Sequence, residues 1–349
     1  MLLRTLLQLS LTSADASRSN QFRQQLNAAS DRDWQEVSID LELHRLMPFV
    51  YYGIKVHGLK DCVPKSILDK LLNVYISSLG RNQVLLNTLA AVLKATYEAG
   101  VRPVLWKGVV LVDQLYPDRA VRMMGDIDWA IAPHELETVS RVFERLGFTI
   151  KDRLTTPDAV YFMGQNRVFF DVHHRVRLFE GKEHLPLTQN LTSALGGLSE
   201  ICALEPTAML THLTVHLAGH MAETGPLLFW ILDFVFLLRK WGHLIDGNRL
   251  DRLMPSENWL FLGRLLHFLE VEFNEPLPPD LAKLAREHKP LTLESITRQS
   301  RLAVWGLPHP RGWLKLMAYR LGLKSPSVQK FPRASDLVLW ASDVVSAVH

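Results

Sequence analysis

The sequence predicts an α+β protein, a small mixed sheet set between an N-terminal and a C-terminal helical region. Three observations carry that expectation. Up to about Gly100 apolar residues recur at three- and four-residue spacing; several short segments between residues 100 and 180 are rich in β-branched and aromatic residues; from Thr207 long apolar-periodic segments return. The units are therefore placed at 1–99, 100–180 and 200–349. At 349 residues the chain exceeds what one core usually organises, so two or three packed units are expected.

Each element has its own signal. The opening MLLRTLLQLSLTSADA reads as an amphipathic helix, because Arg4 interrupts the apolar run that a secretory signal needs; a signal peptide is the minority alternative. In VPKSILDKLLNVYISSLGRNQVLLNTLAAVLKATYEAG, Pro64 sits near a helix start and Gly100 is a stop signal. VRPVLW (Val101 to Trp106) and DIDWAI (Asp126 to Ile131) read as strands, each followed by a helical stretch. DAVYFMG and RVFFDVHHRV read as two further strands joined by a turn at QN. PLLFWILDFVFLL (Pro226 to Leu238) falls short of the roughly 20 residues that span a bilayer and contains Asp233, so it reads as a buried core helix and no membrane association is expected. KSPSVQKFPRASD, near Lys324 to Asp336, reads as an irregular linker before a last helix.

Composition excludes several classes. With 48% hydrophobic and 21% charged residues the chain is neither disordered nor fibrous, and a net charge of +3 does not mark a polyanion-coating protein. Cys62 and Cys202 lie far apart and support neither a disulfide framework nor a zinc knuckle, leaving a reducing cytosol as the default compartment.

The chemistry concentrates in MMGDIDWAIAP. Strand alternation turns Asp126 and Asp128 to one face, roughly 7 Å apart, with Ile127, Trp129 and Ile131 on the other. No lysine or arginine occurs between Met123 and Pro133, so a hard cation is the economical counter-charge: Mg²⁺, with Mn²⁺ as the alternative. For a bare D-x-D, two solvated acids at a strand start are the competing reading. Here a third acid, Asp171, again stands inside an apolar strand with His173 on its face, and Lys107 and Gly108 sit at a strand-to-helix junction where a phosphate can approach.

The run PVLWKGVVLVDQLYPDRAVRMMGDIDWAI, followed by LGF and then FFDVHHRV, resembles the uncharacterised nucleotidyltransferase family of the DNA polymerase beta superfamily, and the likeness extends from about residue 30 to 245. The resemblance implies a polymerase-beta-like nucleotidyltransferase core in which Asp126, Asp128 and Asp171 are the catalytic, metal-holding acids, Asp171 also helping to deprotonate the acceptor. It implies nucleotide contact by Lys107, Gly108, Arg122 and His173, with Lys107 and Gly108 where the superfamily has Gly-Ser. The partners implied are an NTP, ATP by default, and an acceptor that is a small molecule, a peptide, a protein or an RNA. For Arg122 a surface ion pair with Asp118 stands as the alternative.

Other features have plainer readings. His212, His216 and His220 form a stripe on one helix face; it lines the cleft or packs as half-buried histidines, zinc being disfavoured because Leu213 replaces the glutamate of H-E-x-x-H. Asp233 needs a buried partner, for which a stripe histidine is the candidate. His174 falls on the opposite strand face from Asp171. Arg311, Lys315, Arg320 and Lys324 read as a solvated basic face. The leading function is metal-dependent nucleotidyl transfer; a catalytically silent, antitoxin-like regulator and a zinc hydrolase are the rivals.

Overall fold

The computed structural model describes residues 2–152, 154–182, 185, 187–193, 195, 198–223 and 227–297. The expected linker, the last helix and the basic residues Arg311, Lys315, Arg320 and Lys324 lie outside the described residues.

Five helices precede the sheet: α1 (Leu2–Leu11), α2 (Ala16–Asn27), α3 (Asp31–Leu43), α4 (Met47–Val56) and α5 (Lys65–Glu98). The helix α1 keeps only a narrow polar face, at Arg4 and Gln8. Eight of its ten residues are buried among α2, α3, α4 and a later helix, so it is a core element; the exposed Arg4 reaches the otherwise buried Glu272 at 2.5 Å. The helix α5 starts directly after Pro64 and stops before Gly100, whose φ of +81° suits a residue without a Cβ. At 34 residues it is about 51 Å long. Its buried positions, from Leu71 and Tyr75 through Ser78, Asn82, Leu85 and Leu89 to Thr96, recur at three and four and form a single stripe.

The strands are β1 (Val104–Leu105), β2 (Ile127–Ala130), β3 (Thr149–Ile150), β4 (Ala159–Met163), β5 (Phe169–His173), β6 (Thr188–Thr192) and β7 (Glu200–Leu204). They form one mixed sheet in the order β3-β4-β5-β2-β1-β7-β6, with β2 parallel to β5 and β1 parallel to β7, and the other neighbouring pairs antiparallel. The short β3 and the pair β6 and β7 were not anticipated from sequence. Between β1 and β2 runs α6 (Lys107–Gln114), and α7 (Leu136–Arg145) follows β2. Alternation gives the sheet two different faces. On one, Trp129, Phe170 and Phe162 pack with Phe143 of α7 at ring separations of 4.3–5.6 Å, a dry aromatic core. The other face carries the polar residues described below.

The helices α8 (Pro206–Glu223), α9 (Leu228–Trp241), α10 (Gly247–Leu253), α11 (Trp259–Phe273) and α12 (Pro279–Arg286) follow the sheet among the described residues. The apolar segment expected as a core helix is α9, buried from Leu228 to Leu238 apart from the partly exposed Trp230. No described helix is long and apolar enough to cross a membrane.

Candidate active site

The strand β2 lies in the middle of the sheet, between β5 and β1, and not at the sheet edge where two exposed acids would be unremarkable. Asp128 stands directly beside Asp171 in the parallel β2–β5 register, and Asp171 stands beside Tyr161 in the β5–β4 register. The three side chains therefore form a row on the face opposite Trp129. Asp126, one residue ahead of β2, accepts a hydrogen bond from the Tyr161 hydroxyl at 2.6 Å. Asp126, Asp128 and Asp171 line one cleft of about 330 Å³. Burial, then the charge of Asp128, raises the Asp126 carboxyl above the ordinary carboxylate range against the opposing pull of Tyr161 and Lys107.

A positive charge does reach this pair, from another segment. The Lys107 ammonium donates to Asp128 Oδ1 at 2.7 Å, with both side chains largely buried. Burial alone would depress the Lys107 pKa, but Asp128, with Asp171 and Asp126 behind it, outweighs that cost and raises it. Lys107 is the first residue of α6 and has φ +49°, a left-handed conformation costing a non-glycine residue of order 1 kcal/mol. That strain turns the chain from β1 into α6 and aims the lysine at the acids.

His173 completes the cluster. One ligand atom each from Asp128, Asp171 and His173 lie within 4.8 Å of one another. His173 Nε2 is 3.0 Å from Asp171 Oδ2 and 4.0 Å from Asp128 Oδ1, yet it is buried and makes no aligned hydrogen bond. A buried nitrogen facing two carboxylates without a hydrogen bond fits a cation ligand. The donor set of two oxygens and an imidazole suits Mn²⁺ at least as well as Mg²⁺; Asp126 lines the same cleft but stands outside this group of three, bound to Tyr161.

The alternative raised for Arg122 and the partner suggested for Asp233 are both corrected. Arg122 is not a surface arginine bound to Asp118, and Asp233 is not paired with a stripe histidine. They are buried together: Arg122 Nε donates to Asp233 Oδ1 at 2.7 Å and Nη2 to Oδ2 at 2.8 Å, while the Tyr116 hydroxyl donates to Oδ1 at 2.7 Å. Asp118 instead accepts from Tyr75 and from the Ala120 amide. Residues 111 positions apart thus form a two-pronged ion pair.

This clamp explains Gly108. A Cβ there would lie 2.7 Å from Arg122 Nη1, and the guanidinium is held in place by two bonds to Asp233 that a retreat would strain. Gly108→Ala is expected to destabilise the protein by about 1–3 kcal/mol, the usual cost of overpacking. Urea unfolding of the variant checks this; an unchanged midpoint would show that the guanidinium yields freely.

The loop carrying Asp126 is held by polar residues of the α5 stripe that sequence reasoning passed over. Asn82 donates to the carbonyls of Arg119 and Arg122 at 2.5 and 2.7 Å and accepts from the Met124 amide at 3.2 Å; Ser78 donates to the Ala120 carbonyl at 2.7 Å. Arg81 donates to the carbonyls of Gly125, Asn166 and Arg167. Their signal was available: Ser78 and Asn82 are polar positions inside an apolar helical stripe.

The stripe lies across the cleft on α8. His212 stacks on Trp106 at 4.9 Å, and His216 and His220 line the cleft. Burial first, then Lys107, pushes His212 well below its ordinary pKa and His216 down to about 2, so both are neutral. Among the described residues none of the three joins a metal-ligand group.

Several known proteins are similar to parts of this chain. The solution structure of the antibiotic-resistance factor ANT(2'')-Ia is similar over 49% of this chain and 90% of its own, at 10% identity and a TM-score of 0.39. An antigenic nucleotidyltransferase-like protein from Paracoccidioides brasiliensis is similar over 59% and 94%, at 12% identity and a TM-score of 0.35. Terminal uridylyl transferase 4 from Trypanosoma brucei, solved with bound GTP, is similar over 69% and 91%, at 14% identity and a TM-score of 0.23. None of the curated proteins matches. The model of one family matches residues 30–267, more than half of the chain and the whole span from Asp126 to the Arg122–Asp233 clamp. By that match the chain is a transferase and belongs to the uncharacterised nucleotidyltransferase family.

Proposed function

We propose that the protein transfers a nucleoside monophosphate from an NTP to an acceptor and releases pyrophosphate, using Asp126, Asp128 and Asp171 with a divalent ion. The observation that carries this reading is the convergence of Asp128, Asp171 and His173 within 4.8 Å, with Lys107 beside Asp128 and both acids lining a cleft of about 330 Å³, within the range of small-molecule sites. A divalent ion bound by these acids supplies charge for the triphosphate and lowers the pKa of an acceptor hydroxyl.

The chain's own groups do the rest. Asp171 takes the acceptor's proton as its oxygen bonds to the α-phosphorus, and the bond from that phosphorus to the bridging oxygen breaks with its electron pair leaving on pyrophosphate. Lys107, which donates to Asp128, would be free to reach the phosphates with the divalent ion held by Asp128. The Arg122–Asp233 pair is neutral as a unit, so Arg122 contributes a directed N–H more than net charge. Mg²⁺ or Mn²⁺, ATP as the default nucleotide and a cytoplasmic location complete the proposal.

The silent, antitoxin-like alternative is favoured by one observation: Asp128 is already satisfied by Lys107 without a metal. Incubating the protein with each α-phosphate-labelled NTP, Mg²⁺ or Mn²⁺ and a cell extract, then identifying what becomes labelled by mass spectrometry, separates the two. Transfer with stoichiometric pyrophosphate is the expected result. Absence of label from all four nucleotides with either ion would sink the catalytic reading.

A further inference from the structure

We propose that Trp230, with His220 stacked on it, is the nucleobase platform of the cleft; this rests on the nucleotidyl-transfer reading and adds the subsite that grips the nucleoside. The cleft has two chemically different walls. The sheet wall carries Lys107, Asp126, Asp128 and Asp171, which suit phosphate and cation. The helical wall carries Trp230 from α9 with His216 and His220 from α8.

Trp230 is the one residue between Leu228 and Leu238 that keeps solvent exposure, and it opens on this cleft. Tryptophan is seldom wholly buried, so its exposure alone decides nothing. Its setting does. The His220 ring lies nearly parallel to the indole at 4.5 Å and 23°, and His216 meets His220 edge-on at 4.4 Å, so three rings are braced against one another at the cleft wall. Held neutral, His216 adds no charge that would repel a base or attract phosphate to the wrong wall. Between the walls, Arg45 and Arg122 both lie over the Phe229 ring, at 5.3 and 5.8 Å, and both line the cleft. Arg45 thus brings a positive charge, and Arg122 a directed N–H, beside Trp230, where the negative phosphates of a nucleotide would give way to its flat base. Aromatic stacking accepts any base, because every base has a π-face.

The test compares ligands with and without a base, by calorimetry in Mg²⁺: inorganic tripolyphosphate against the α,β-methylene analogues of the four NTPs. The wild type is expected to bind the analogues more tightly than tripolyphosphate. Trp230→Ala is expected to weaken the analogues by roughly 5- to 150-fold and leave tripolyphosphate unchanged. Trp230→Phe is expected to restore most of the loss, and Trp230→Leu, which keeps apolar bulk without the π-face, to show the same selective loss and so serve where the alanine variant does not fold. Equal weakening of both ligand types, or no weakening of either, overturns the platform. Wild-type binding of tripolyphosphate with no preference for nucleotides overturns the platform alone and leaves the transfer reading intact. Binding of neither overturns both.

Discussion

Asp128→Asn is expected to lower nucleotidyl transfer by about 100- to 1,000-fold, the scale lost when a group that stabilises charge in the transition state is removed. Asp128 is the hub of the cleft: it touches Lys107 directly, neighbours Asp171 in register, and lies 4.0 Å from His173 Nε2. Asparagine keeps the shape and an oxygen that still accepts from Lys107, but it removes the negative charge on which both cation binding and lysine placement depend. Lys107 then loses the partner that outweighs its burial, and its pKa falls. Steady-state pyrophosphate release gives the rate, and a thermal melt close to wild type shows that the loss is chemical. A variant that retains full activity would remove Asp128 from the proposed machinery.

Asp233→Ala is expected to cost about 3–5 kcal/mol of stability, because breaking a buried pair strands the surviving charge. Arg122 is 8% exposed and Asp233 1%, so water cannot replace the lost carboxylate, and the Tyr116 hydroxyl loses its acceptor as well. Urea unfolding measures the effect. A companion variant, Arg122→Met with Asp233→Leu, puts apolar groups of similar bulk in the same space and is expected to recover much of the stability while losing the directed N–H at Gly108. A cost below about 1 kcal/mol for Asp233→Ala would mean that the site relaxes around the free guanidinium.

Much of this was legible in sequence where a short-range pattern carried it. Period-two alternation located β2, β4 and β5 and turned Asp128, Asp171 and His173 to a common side, because the sheet obeys the same alternation. Tyr161 could have been read the same way, two residues into the segment from Ala159 and on the cleft face. The strand β6, TQNLT, was not legible: it is a polar edge strand whose inner face is only partly covered, so it shows no apolar rhythm. The two-residue β3 is too short to carry one. Side-chain pairings across distance were misread for a different reason. Arg122 met Asp233 and Lys107 met Asp128 through folding of separate segments, and nearest-neighbour reasoning within one segment offers Asp118 for the first and leaves the lysine out of the second.

The three bonds from Asn82 and the one from Ser78 have a practical corollary for anyone wishing to trim the polypeptide. A fragment beginning at residue 100 would retain every acid of the cleft, yet the carbonyls ahead of Asp126 would face solvent and the loop would drift. The smallest functional piece must therefore reach back into α5, and the helix that looks like mere upstream packaging is part of the instrument.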